Sequence, residues 1–179
     1  FSLFEENNEL KINDKIDIIK DIFDLNLNNK KVLNKVYHEL EKLSVDAEFL
    51  LETKNMENSL LKYIYYLVEN YDYPLEIIEE IDLKEIFKLF SVKLSLCFSN
   101  KIEEILEYID LVSKIFKKEI FILINFHIFL EKKDIVALYR ECFYKKIKLL
   151  FAESQKPDII NEEEKLFIID NDLCEINLS

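Results

Sequence analysis

Apolar and polar positions change rhythm twice along the chain. In Glu9–Asn13, Leu10 and Ile12 alternate with polar residues, which predicts a short strand. Ile16, Ile18, Ile19, Ile22 and Phe23 then recur at helical spacing and predict a helix. From Lys30 to about Asp72 the pattern stays helical. Val32, Leu33, Val36, Tyr37 and Leu40 form one stripe, and Leu60, Leu61, Ile64, Leu67 and Val68 another, with Asn55 and Asn58 as the expected break between them. Pro74 closes this stretch, because proline disfavours helix at the residue before it.

After Asp82 the rhythm becomes mixed. Asp82 is placed to cap a short helix running to Phe90. Ser91–Leu96 alternates as a strand. Ser99 or Asn100 caps a helix whose inner stripe is Ile102, Ile105, Leu106, Ile109 and Val112. Ile120–Ile124 is apolar throughout, as a strand buried on both faces must be. Asp134–Phe143 reads as a helix, Ile147–Phe151 as a second apolar strand, and Leu166–Ile169 as a last strand after the acidic turn Glu162–Glu164. Alternating strands and helices predict an α/β fold with a mostly parallel sheet joined by right-handed crossovers. Residues 1–28 and 83–179 are expected to form this head, and residues 29–82 an inserted α-helical leg.

Composition narrows the chemistry. Half of the 179 residues are hydrophobic, and 14 Phe and nine Tyr supply large faces for a core. There is no glycine at all. A loop that cradles phosphates needs backbone to approach the ligand without a Cβ in the way, so a Walker A loop, a dinucleotide fingerprint and a G-x-S-x-G elbow are all excluded from these residues. Left-handed turn positions are expected to fall to asparagines such as Asn28, Asn29, Asn125 and Asn171. Cys97, Cys142 and Cys174 are far apart and odd in number, which fits a reducing cytoplasm rather than a disulfide framework. No apolar run approaches the roughly 18 residues of a membrane span. Phe1 in place of a methionine is read as a missing natural N-terminus.

The net charge of −12 is unevenly spread. Between Lys114 and Lys148, nine positive residues face four acids, a balance of +5 that leaves −17 on the remainder. The pairs Lys117–Lys118, Lys132–Lys133 and Lys145–Lys146 fall at the ends of expected elements. Convergence of those ends would build a patch that tracks phosphates; otherwise they are solvated helix ends. The acidic counterpart, Glu69–Glu85, holds seven carboxylates against Lys84 alone. Such density suits a hard cation like Ca²⁺, although it lacks the glycine of an EF-hand loop and also reads as a solvated turn. His38 and His127 are the only histidines and lie in different elements, and no Cys/His spacing matches a zinc site. Nothing marks a catalytic centre.

Several segments, in order, resemble the ring-forming protein family of type II-A CRISPR spacer acquisition. They are Glu9-Leu-Lys-Ile-Asn13, Ile22-Phe-Asp-Leu-Asn26, Asp72-Tyr-Pro-Leu75, Glu85–Ser95, Lys117–Asn125, Leu130-Glu-Lys-Lys-Asp134 and Lys146–Glu153. The resemblance implies an α/β head related to P-loop folds but binding no nucleotide, and an elongated helical leg. It also implies a homotetrameric ring that threads double-stranded DNA ends through a basic hole, calcium ions that stabilise the leg and ring, and action beside the CRISPR integrase complex and the RNA-guided nuclease without catalysis of its own. Asp72, Glu76, Glu79, Glu80 and Asp82 are the calcium-ligand candidates under that resemblance. Lys117, Lys118, Lys132, Lys133, Lys145 and Lys146 are the DNA-binding candidates, chosen from charge. Two rivals differ in kind. One is an acidic α/β module that binds only protein; the other is a degenerate nucleotide-binding enzyme whose loop would lie before Phe1.

Overall fold

The computed structural model describes residues 3–5, 8–10, 12–156, 164–169, 172 and 175–178. β1 (Leu3–Glu5) and β2 (Asn8–Leu10) form an antiparallel hairpin, followed by α1 (Ile12–Lys15) and β3 (Ile16–Ile19). Then come α2 (Lys30–Ser44), α3 (Leu50–Glu69), α4 (Leu83–Leu89) and α5 (Lys101–Phe116). The chain ends in β4 (Ile120–Ile124), α6 (Lys132–Tyr144), β5 (Lys148–Ala152), β6 (Leu166–Ile169) and β7 (Glu175–Leu178). It divides into two compact units, Phe1–Asn26 with Cys97–Ser179, and Leu27–Leu96.

The first unit is the α/β head. Its parallel sheet has the order β3-β4-β5, with Ile16 opposite Ile120 and Ile120 opposite Lys148. Right-handed crossovers that step in one direction put both connecting helices on one face. Accordingly α5 (Ile105, Ile109, Val112) and α6 (Ile135, Leu138, Cys142) share one buried cluster with Phe121 and Leu123 of the central strand. Opposite them, Ile18 and Leu150 flank Ile122 and are about half exposed, at 49% and 52%. β6 and β7 pair antiparallel as a separate hairpin. β6 matches the expected strand, and β7 was not anticipated.

The helix expected around Ile16–Phe23 is instead β3 followed by a turn. Three β-branched isoleucines within four residues suit a pleated strand, and their parallel partner lies more than a hundred residues away, out of reach of any local periodicity.

The second unit is helical. Asn29 caps α2 by accepting the Val32 N–H, and Asp82 caps α4 by accepting the Lys84 N–H. The break between α2 and α3 lies at Val45–Phe49, and Asn55 and Asn58 sit inside α3. The Asp46 carbonyl accepts the N–H groups of Phe49 and Leu50 at 3.0 and 2.9 Å, and the Thr53 hydroxyl bonds back to the Ser44 carbonyl at 2.9 Å. These bonds close the turn without proline or glycine.

Ser91–Leu96, expected as a head strand, alternates in burial as predicted but joins no sheet, and it packs with the helical unit. Side chains take the place of a neighbouring strand. The Asn28 carboxamide accepts the Leu94 N–H at 2.9 Å and donates to the Leu94 carbonyl at 3.1 Å. The Tyr37 hydroxyl donates to the Val92 carbonyl at 2.7 Å. A carboxamide carries the same donor and acceptor as a peptide group, so it imitates one rung of a ladder. The Tyr37–Phe87 ring contact and the Lys84–Glu41 ion pair bind α4 to α2 in the same unit, which is why the second boundary falls after Leu96 rather than at residue 82.

Asn28→Ala removes both bonds and leaves the partly buried Leu94 groups unpaired. It is expected to cost about 1–3 kcal/mol in urea unfolding and to speed amide exchange at Leu94. An unchanged midpoint would mean that the segment is held by something else.

Candidate nucleic-acid interface

In a parallel sheet the loops that precede the strands all lie at one edge. Here that edge is pinned by the backbone of one residue. The Glu119 N–H donates to the Lys15 carbonyl at 2.9 Å, and the Glu119 carbonyl accepts the Lys148 N–H at 2.8 Å. The starts of β3, β4 and β5 are thereby level. Lys15, Lys117, Lys145, Lys146 and Lys148 all fall at these starts, and Lys114 sits in the last turn of α5 beside them. The C-terminal ends of α5 and α6 point here too, and their partial negative charge favours cations.

Two carboxylates temper the edge. Asp110 accepts Lys145 Nζ on Oδ1 at 2.6 Å and Lys114 Nζ on Oδ2 at 2.5 Å. Its side chain is 13% exposed, and burial alone would raise its pKa. The two ammonium partners outweigh burial and hold the carboxyl below its usual range. Lys15 pairs with Glu119.

Of the six lysines chosen from charge, Lys117, Lys145 and Lys146 meet at this edge. Lys118 does not present itself there: it is only 7% exposed, because one step from the helix cap toward β4 turns the side chain inward. Lys132 and Lys133 open α6 and therefore lie at the opposite edge, about 20 Å away by the length of a 13-residue helix. Lys133 there pairs with Glu131 in solvent. Lys15, Lys114 and Lys148 belong to the cluster and were not singled out. Their signal was position: Lys15 and Lys148 lie at the start of a strand, and Lys114 lies in the last turn of the helix that leads into one.

The left-handed positions fell differently from expectation. Positive φ occurs at Ser91, Lys117, Asn125 and Lys146. Asn125 fits the expected use of asparagine, whereas Asn29 is extended, and Asn171 lies outside the described residues. Two basic residues of one edge thus hold a conformation that costs a side-chain-bearing residue about 1 kcal/mol.

The acidic candidates behave otherwise. Asp72, Glu76, Glu79, Glu80 and Asp82 are all exposed in the segment between α3 and α4. Asp82 is used as a helix cap, and Glu79 accepts the Tyr65 hydroxyl. Among the described residues no three His, Cys, Asp or Glu side chains converge as a metal set. The five carboxylates do not gather into such a set. Cys142 is buried, and burial pushes its thiol up to about 11, so it stays protonated at neutral pH; Cys97 is exposed, and Cys174 lies outside the described residues. His38 stands by Glu41 in α2, and His127 stands by Glu153 in the head.

Comparison with known proteins gives one family. A family profile described as CRISPR-associated protein (Cas_Csn2) matches residues 1–173. No curated protein matches the chain.

Lys117→Gly and Lys146→Gly relieve the left-handed backbone. Each is expected to raise stability by about 1 kcal/mol in urea unfolding while removing a charge from the edge. A loss of stability in both would show that these lysines hold the fold together.

Proposed function

Because the chain belongs to the Cas_Csn2 family of CRISPR-associated proteins, we propose that it is a non-catalytic scaffold of spacer acquisition that binds double-stranded DNA ends as a homotetramer, alongside the integrase complex and the RNA-guided nuclease. The observation that carries the reading is the gathering of Lys114, Lys117, Lys145, Lys146 and Lys148 at one edge of a chain whose net charge is −12. Phosphate contacts of this kind are independent of sequence and release counterions, so binding falls steeply with salt. The acidic remainder keeps DNA off the rest of the surface.

Self-assembly draws support from α3. None of its residues is buried, and it carries two apolar stripes. Leu61, Ile64 and Val68 are half-buried. Met56, Leu60, Tyr63 and Leu67 follow the 4-3-4 spacing of a coiled-coil seam and face solvent, Tyr63 at 58% and Leu67 at 47%. No helix among the described residues is long and apolar enough to cross a membrane. A second copy of the chain is the cover this reading assigns to the seam. No step of it runs through calcium, since the carboxylates do not converge.

In a gel shift, linear duplex is expected to be retained and closed circular DNA of the same sequence is not. Lys117→Ala with Lys146→Ala is expected to weaken binding about thirtyfold, taking about 1 kcal/mol per contact. The same pair is expected to flatten the log–log salt dependence by about 0.9 per lost contact. Lys132→Ala with Lys133→Ala is expected to leave both unchanged. No retention at low salt would favour the protein-binding module instead. Separately, Leu60→Glu with Leu67→Glu is expected to lower the mass seen by light scattering; an unchanged mass would remove α3 from the assembly.

A further inference from the structure

At the other edge of the head, where β4 and β5 end, lies a cleft of about 440 Å³. Its polar floor is His127, Tyr139, Glu153 and Glu164, and Lys156 and Lys165 are its charged neighbours. His127 and Glu153 are deeply buried, with side chains 9% and 10% exposed. The His127 backbone N–H donates to Glu153 Oε1 at 3.2 Å, and Nδ1 stands 3.0 Å from the same oxygen. A carboxylate only accepts, so this partner assigns the hydrogen to Nδ1.

In the neutral ring Nε2 is then a bare acceptor. It is buried without a hydrogen-bond partner, and Glu164 Oε1, another acceptor, lies 3.6 Å away. Two successive hydrogen bonds span about 5 Å or more, so no water fits between them. Two acceptors facing each other in a buried site are costly, whereas a proton on Nε2 turns the contact into a charge-assisted one on both sides of the ring.

We propose that His127 is a proton-operated latch. When charged, it joins Glu153 at the end of β5 to Glu164 at the start of the β6–β7 hairpin; when neutral, it loosens the hairpin from the head. Every element around the ring contributes a group. β5 supplies the Phe151 edge, 4.6 Å between centroids, and the segment after it supplies Glu153 and Lys156. The approach to β6 supplies Glu164 and Lys165. α6 supplies Tyr139, whose hydroxyl donates to Glu164. Burial, and then Glu164, raise the Tyr139 pKa far above its usual value, so it remains a donor across the neutral range. Imidazole is the side-chain type in this set that ordinarily changes charge between about pH 5 and 8.

Hydrogen exchange on the full chain, corrected for intrinsic rates, tests the latch at residues 164–169. Protection is expected to fall about tenfold between pH 5.5 and 8.0. His127→Gln is expected to abolish that dependence, and His38→Gln to preserve it. Nitrogen NMR of the wild-type imidazole needs no variant: both ring nitrogens are expected to be protonated at pH 5.5, and Nδ1 alone at pH 8.0. Protection independent of pH in the wild type, a dependence that survives His127→Gln, or a neutral ring protonated on Nε2 would each overturn the proposal.

Discussion

The head depends on the parallel register of β3, β4 and β5. The backbone of Glu119 holds the starts of all three strands level, its N–H donating to the Lys15 carbonyl and its carbonyl accepting the Lys148 N–H. From that alignment follow the shared buried face under α5 and α6, the stacking of Phe121 and Leu123 on both helices, and the meeting of lysines from three separate stretches of chain. Slipping one strand by a residue would exchange its buried and exposed faces and scatter the basic edge at the same time. Core and candidate interface are therefore set by the same hydrogen bonds.

The sequence was most legible where local signals and tertiary role agreed. Ile120–Ile124 reads as an apolar strand and is the central one, flanked by β3 and β5, although helices bury only one of its faces and its burial alternates. Asp82 and Asn100 read as caps because capping is settled within one turn. Legibility ended where partners are remote. Ile16–Ile19 satisfies helical spacing locally, and only β4, far along the chain, makes it a strand. Ser91–Leu96 has the alternation of a strand, yet Asn28 and Tyr37 supply its hydrogen bonds from upstream. Charge pairs misled for a related reason. Lys117 and Lys118 are adjacent in sequence, but the first caps α5 in solvent and the second turns into the head.

Absence of glycine shapes both edges of the sheet. At the strand starts, Lys117 and Lys146 take left-handed positions that glycine would occupy more cheaply, and each thereby sets a charge at the apex of its turn. At the strand ends, Asn125 takes the same conformation, and its side-chain oxygen accepts the Ser154 N–H at 2.8 Å, holding the start of the segment that carries Glu153 toward His127. Backbone strain at these turns is thus tied to the side chains that give each edge its chemistry.

The basic edge can be probed by lysine reactivity, measured by mass spectrometry with and without linear duplex DNA. Lys114, Lys117, Lys145, Lys146 and Lys148 are expected to be protected, and the labelling of Lys132 and Lys133 to be unchanged. Protection of Lys132 and Lys133 instead, or no protection at DNA concentrations that shift the protein fully, would contradict DNA binding at that edge.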